Sequence, residues 1–238
     1  MKNNSTNRGY VPGDAKEFDP ESQSLLLKAQ KDIFYLLEQG YPMKSASTFV
    51  GNHYLLSERQ RLALARATTA GETVSIRKNK QLTGSLQGQK VFIDGLNLII
   101  TLEVALSGSL LIRCMDGTIR DLAGLRGTYR LIDKTDLAIN LIGSKLEELK
   151  VGSAYFYLDS PVSNTGRLKQ RIMELLTAYS FDTVVELVNN ADIILEKNNY
   201  VISSDSIILN KCSGWINLAA EIIKDSIKDA YIYDLSMK

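Results

Sequence analysis

Residues 91–99 read VFIDGLNLI. Val91, Phe92 and Ile93 form a compact apolar run without alternation, and Asp94-Gly95 ends it. A run of this kind suits a strand buried on both faces, which calls for a parallel sheet covered by helices on each side. The design recurs along the chain. Residues 154–158 (AYFYL) end in Asp159-Ser160, 184–188 form a further run, and 200–204 (YVISS) end in Asp205. Tyr231-Ile232-Tyr233 closes the chain as a last strand. Between the strands, apolar residues fall at helical spacing over 134–149, 166–179 (Leu168, Ile172, Leu175, Leu176, Tyr179) and 216–227, with Trp215 as a core residue opening the last helix. Strand–helix alternation predicts an α/β protein with a mainly parallel sheet over 91–238. Residues 110–121, LLIRCMDGTIRD, interrupt the alternation as a hairpin turning at Asp116-Gly117.

Upstream the rhythm is helical. Residues 1–19 are polar, with Pro12 and Gly13, and read as a flexible arm. Leu25, Leu26, Ala29, Ile33, Leu36 and Leu37 mark a helix that Gly40-Tyr41-Pro42 stops. A short helix over 44–50 follows, and Ser57 with Gln60 forms a capping box opening another. Residues 20–70 are therefore a small all-helical domain. Residues 71–90, polar and basic with three glycines, read as a basic linker or as short strands.

Composition narrows the chemistry. Of 238 residues, 45% are apolar and 23% charged, enough for a substantial core. Two cysteines and one histidine, His53, make a zinc cluster or a His-based triad a poor fit, so chemistry must run on carboxylates, hydroxyls, Lys, Arg or a hard metal ion. No apolar run reaches the roughly 18 residues of a membrane span, and the polar start carries no signal core, so the expectation is a protein of the reducing cytoplasm. Residues 1–90 hold 13 basic and 8 acidic residues, a net of +5, whereas 91–238 hold 15 and 19, a net of −4. A basic part suits a polyanion and an acidic part suits cations.

Asp94, Asp159 and Asp205 each follow a strand, and parallel sheets bind ligands at the carboxyl ends of their strands. If the strands are neighbours, these acids converge on one rim, with Asp192 as a fourth. A divalent cation relieves the repulsion, and oxygen-only donors select Mg²⁺ or Mn²⁺. Asn97, Ser204 and Ser206 lie within three residues of the acids and suit substrate phosphate or carboxylate orientation. Aspartates after strands also serve as ordinary N-caps and turn residues, so both readings stay open.

These residues carry a resemblance. VFIDGLNLI at 91–99, NNADIIL at 189–195 and VISSDS at 201–206 resemble PIN-like and NYN-like nuclease domains, where a strand ends in Asp-Gly-x-Asn and a later one in Ser-Ser-Asp. The resemblance implies a three-layer α/β/α sandwich. It also implies a Mg²⁺- or Mn²⁺-dependent ribonuclease with Asp94, Asp192 and Asp205 as metal ligands and Asp159 as an auxiliary acid. The acid at 192 is single, with Ile193 beside it, where the family usually doubles it, and the hairpin is unusual. The alternative is a non-catalytic RNA- or protein-binding module with a degenerate site; a phosphohydrolase of small molecules is a third reading. RNA is the expected partner, and homo-oligomerisation stays open. Residues 36–66, LLEQGYPMKSASTFVGNHYLLSERQRLALAR, resemble the prokaryotic family called domain of unknown function 434, and the whole chain resembles that two-part conserved protein.

Other signals bear on the site. Cys114-Met115-Asp116-Gly117-Thr118 is similar to the Asp-x-Asp-Gly-Thr signature of haloacid dehalogenases, with Asp116 as general acid, but Cys114 replaces the nucleophile and a hairpin turn is the simpler reading. Arg59, Arg61 and Arg66, helped by Arg77, Lys78 and Lys80, suit nucleic-acid phosphates or a solvated face with ion pairs. Arg126 and Arg130 are candidates for substrate phosphates, or pair, with Tyr129, against Asp121 and Asp133. His53 beside Tyr54 reads as packing or capping.

Overall fold

A computed structural model describes residues 6–124 and 127–237 of the chain. A short turn, α1 (Asp14–Glu17), leads into α2 (Pro20–Glu38). Asp19 caps α2 by accepting the Ser22 amide at 2.7 Å, and Pro20 fits the first helical position, which needs no amide donor. Gly40, at φ +81°, lets Tyr41 donate to Leu36 and Gly40 to Leu37, closing the helix in a Schellman turn. α3 (Met43–His53) and α4 (Glu58–Ala67) follow. The expected box is present: Gln60 N–H donates to Ser57 Oγ and Ser57 N–H to Gln60 Oε1, both at 3.1 Å.

Two expectations for this region change. Residues 71–79 are neither linker nor strand but a helix, α5 (Gly71–Asn79). Its buried face is Val74 and Arg77, and a buried arginine reads from sequence as a solvent residue. Beyond it Gln81 forms an isolated bridge to Trp215, and Lys90 opens the next strand. The flexible arm is also corrected where it is described: Phe18 packs edge-on to Tyr233, Asp14 pairs with Arg59, and Arg8 reaches Glu103. Residues 1–5 lie outside the described residues.

The second part alternates as expected: β1 (Lys90–Asp94), α6 (Gly95–Leu106), the hairpin β2 (Leu111–Arg113) and β3 (Ile119–Asp121), then α7 (Thr135–Glu148), β4 (Ser153–Asp159) and α8 (Thr165–Leu176). β5 (Asp182–Val188), α9 (Ala191–Leu195), β6 (Val201–Ile202), α10 (Ser206–Lys211), β7 (Trp215–Ile216), α11 (Leu218–Ser226) and β8 (Ile232–Asp234) complete it. Trp215 is core but belongs to β7 rather than to a helix.

The main sheet runs β5-β4-β1-β6-β7, all parallel. One face carries α6, α7, α8 and α11 through Leu98, Ile139, Leu168 and Ile222; the other carries α9 and α10 through Ala191, Leu195, Ile208 and Leu209. The protein is thus α/β, a three-layer sandwich preceded by a helical region. A second sheet, β3-β2-β8, pairs β2 antiparallel to β3 and parallel to β8. This sheet shares its core with the helices: Leu110, Ile112, Cys114, Leu122, Tyr233 and Leu235 pack with Leu26, Ile33, Val50 and Leu64. Gln30 Nε2 also donates to the Leu235 carbonyl at 2.7 Å. The hairpin is therefore the seat of the helical region. Among the described residues, no helix is long and apolar enough to cross a membrane.

Candidate functional site at the acidic rim

Parallel pairing puts the ends of β1, β4 and β6 on one edge. Asp94 stands opposite Tyr157 on β4, and Ile93 stands opposite Ile202 on β6. Asp94 ends β1 and caps α6, accepting the Asn97 amide at 3.4 Å on Oδ1 and the Ser203 hydroxyl at 2.9 Å on Oδ2. Glycine follows because β4 is close: a methyl group on Gly95 would sit 2.6 Å from Leu158 Cδ2.

Asp205 caps α10, its Oδ1 accepting the Ile207 and Ile208 amides at 2.7 and 3.4 Å. Its own amide donates to Ser203 Oγ at 3.0 Å. Asn97 Oδ1 accepts both the amide and the hydroxyl of Ser204, at 3.0 and 2.9 Å. Asp159 Oδ1 accepts the Ala191 amide at 2.9 Å, where α9 opens, and Asp192 lies in the first turn of α9. Asp94 and Asp205 are thus N-caps, Asp192 is a first-turn residue, and Asp159 ends β4 while holding the first amide of α9, so all four gather at the strand-end edge of the main sheet.

The rim is electrostatically loaded. Burial pushes the Asp94 carboxyl up to about 7; the Ser203 bond opposes this, and the negative charges of Asp205 and Asp192 add to it. Asp192 is raised as well, by burial first and then by Asp205 and Asp159. The donors are all oxygen and mutually repelling, the kind Mg²⁺ or Mn²⁺ prefers. As they stand, however, no three His, Cys, Asp or Glu side chains among the described residues form a group able to hold an ion.

Beside the rim a cleft of about 450 Å³ opens between the helical region and the sheet. Asn97, Ser204, Asp205 and Ser206 line one wall, and residues of α4 and α5 line the other. Asp94, Asp159 and Asp192 do not line it. Arg130 is exposed, holds Arg8 Nη2 on its carbonyl at 2.5 Å and does not line the cleft either; Arg126 lies outside the described residues. Tyr129 turns to Glu103 rather than to Asp121 or Asp133, donating at 2.6 Å.

The arginines of the helices are mostly committed to structure. Arg59 forks onto Asp14 at 2.8 Å and donates to the Leu122 carbonyl at 2.7 Å. Arg61 holds the end of α3 through the carbonyls of Gly51 and Leu56. His53 stacks edge-on against Tyr54, a packing role.

Sequence reading missed one cluster. Asp116, 2% exposed, accepts Arg77 Nη1 at 2.7 Å, Arg120 Nη2 at 2.8 Å and the Thr118 hydroxyl at 2.6 Å. Burial would raise its carboxyl, but Arg120, Thr118 and Arg77 outweigh burial and hold it low. It stays ionised and cannot serve as a general acid. The Cys114 thiol, pushed up to about 11 by burial, is no nucleophile. The two guanidiniums also brace the Asp205 loop: Arg120 Nε donates to the Ser204 carbonyl at 2.8 Å and Arg77 Nη2 to the Ser206 carbonyl at 3.4 Å. A partial signal was present, since Asp116 and Arg120 stand four apart across a turn.

With this geometry in view, comparison places the chain. The family described as Domain of unknown function (DUF5616) matches residues 83–221. The chain belongs to the DUF5616 family. Ahead of that segment, residues 25–80 match the family described as Protein of unknown function (DUF434), as the resemblance of residues 36–66 implied. The chain is also 33% identical over 202 residues to an uncharacterized protein of Methanocaldococcus jannaschii, an alignment covering 84% of this chain and 96% of that one. The DUF5616 segment carries the whole acidic rim, and the DUF434 segment carries the opposite wall of the cleft. No solved structure matches.

Proposed function

We propose that this chain hydrolyses phosphodiester bonds in RNA, with Mg²⁺ or Mn²⁺ as cofactor and a PIN-like DUF5616 domain. One observation carries the reading. Asp94, at the end of the middle strand, shares its rim with Asp205 and Asp192, and their charges add to burial in raising its carboxyl to about 7. A divalent cation held by Asp94, Asp192 and Asp205 would relieve that repulsion. When bound, it supplies a water of lowered pKa and neutralises charge on the scissile phosphate. The chain's own residues set the stage. Ser203 fixes the Asp94 carboxylate and the Asp205 backbone together, Asn97 pins Ser204, and Asp159 stands at the start of α9 as auxiliary acid.

The test is cleavage of a labelled single-stranded RNA in Mg²⁺ or Mn²⁺ and in EDTA. Cleavage is expected with metal only, and both Asp94→Asn and Asp205→Asn abolish it while keeping the wild-type circular dichroism. Unchanged cleavage by both variants sinks the site.

A second reading has its own observation: no three of the acids are grouped to hold an ion as they stand, and Asp94, Asp159 and Asp205 already accept backbone amides at the starts of α6, α9 and α10. Such a rim suits a non-catalytic RNA- or protein-binding module. RNA retained in EDTA, with no turnover in Mn²⁺, marks that outcome.

A further inference from the structure

The wall of the cleft includes Leu37 of α2 and Met43 of α3. Their near neighbours Leu36 and Tyr41 line a second depression, of about 290 Å³, between the same two helices. A third, of about 260 Å³, shares Leu36 and Phe49 with it and extends to Tyr35 and His53. The two make one groove that starts beside the cleft and follows α3. Large rings stand uncovered along it: Tyr35 is 63% exposed, Tyr41 55% and Phe49 69%. None of the three joins the buried core, which Leu26, Ile33, Ala46 and Val50 build on the other side of these helices. Three exposed rings in one groove mark a surface that something covers.

Charge selects what covers it. Lys28 and Lys31 lie two turns and one turn before Tyr35 on the exposed stripe of α2, and Lys44 lies in the first turn of α3. All three are exposed, and none has a hydrogen-bond or ion-pair partner among the described residues. The two acids nearby are already engaged: Asp32 accepts the Tyr54 hydroxyl at 2.7 Å, and Glu38 accepts the Gly71 amide at 2.8 Å. The uncommitted charges of the groove are therefore all positive. Rings that lie open beside free ammoniums match a single-stranded nucleic acid, whose bases stack and whose phosphates meet the cations.

We propose that the α2–α3 groove is a base-stacking platform for single-stranded RNA, carrying the strand onward from the cleft. Tyr41, beside the cleft, takes the first base beyond it, and Phe49 and Tyr35 take bases further along. Helix α3 has 11 residues and spans about 16 Å, room for more than one base. Every base has a π-face, so the platform tolerates sequence; a duplex, whose bases are already stacked on one another, is refused. The platform rests on the proposed function for the choice of RNA, and it deepens that reading by requiring the strand to be unpaired outside the cleft.

Fluorescence anisotropy of a labelled single-stranded RNA with the full chain in EDTA tests this without turnover. Wild type should bind the strand, and an unlabelled duplex of the same sequence should compete poorly. Phe49→Ala and Tyr35→Ala should each weaken binding about tenfold. Both rings are exposed, so the variants should keep the wild-type circular dichroism, and Phe49→Trp should keep the affinity. A ribose-phosphate strand without bases should bind wild type and Phe49→Ala equally. Lys31→Gln and Lys44→Gln should each lower the slope of log affinity against log salt by about 0.7. The platform is overturned by a wild type that binds no RNA in EDTA, by wild-type affinity in both ring variants, by a base-free strand that loses as much as RNA does in Phe49→Ala, or by a salt slope that both lysine variants leave unchanged. Sedimentation covers the other occupant: a dimer that Phe49→Ala splits, with RNA affinity unchanged, overturns the platform and assigns the groove to a second copy. Weaker RNA binding by the ring variants alongside absent metal-dependent cleavage overturns the nuclease reading alone.

Discussion

The Asp94 carboxylate accepts the Ser203 hydroxyl at 2.9 Å across 109 residues of sequence. Because the same hydroxyl accepts the Asp205 amide at 3.0 Å, one small side chain ties the end of β1 to the loop that opens α10. The rim's stability and its protonation are therefore linked.

Asp94 makes folding pH-dependent. Its carboxyl is raised from the ordinary carboxylate value to about 7. Between about pH 4 and 7 the unfolded chain has lost a proton that the folded chain keeps, so stability falls as pH rises through that window and levels off above it. The raw shift corresponds to a few kcal/mol. Asp94→Asn, which cannot ionise, should flatten the pH 4–7 slope and unfold at higher urea than wild type at pH 8. A wild-type slope kept by the variant would assign the pH dependence elsewhere.

Ser203→Ala removes the bond that opposes the rise of Asp94 and leaves that carboxylate less satisfied. Denaturant titration at pH 7 should show a loss of about 1–3 kcal/mol. The pH 4–7 slope should become steeper, since Asp94 then moves further up.

Arg8 neutralises a fully buried acid. Glu103 is 0% exposed, accepts Tyr129 and Thr135 and is raised chiefly by burial, with Arg8 the cation that opposes it. Arg8→Ala should cost roughly 2–4 kcal/mol at pH 7. The deficit should shrink at low pH, where Glu103 takes up a proton. Glu103→Gln in the Arg8→Ala background should recover part of it, and equal losses in single and double variants would dismiss the pair.

Asp116 answers two buried guanidiniums at once. Asp116→Asn should destabilise by roughly 3–5 kcal/mol, the range for breaking a buried pair from one side. Calorimetric unfolding within about 1 kcal/mol of wild type would mean that water or another group takes over.

Much of the fold was legible in the sequence because its signals are local. VFIDG and AYFYLDS announce buried strands by unbroken apolar runs, Ser57 and Gln60 announce a helix start, and Asp-Gly announces a hairpin. The strand-end position of Asp94 and Asp159 was legible for the same reason, whereas β6 stops at Ile202, three residues before Asp205. The cleft was not, because its walls come from segments far apart in sequence. Arg77 and Arg120 bury their charge only because Asp116 meets them in space, and α5 looked like a polar linker for that reason. The packing of the arm is not legible locally, because Phe18 and Asp14 find their partners in Tyr233 and Arg59, at the other end of the chain and in α4.

The sharing of one core by the helices, the hairpin and the last strand bears on how the molecule can be divided. The two matched families meet near residue 80, and the second ends at 221, before Tyr233 and Leu235. A fragment cut at those borders would leave Leu110, Ile112 and Cys114 bare on one piece and Leu26, Ile33 and Leu64 bare on the other. Such halves should aggregate when expressed apart, and they have reason to be inherited as a single gene product.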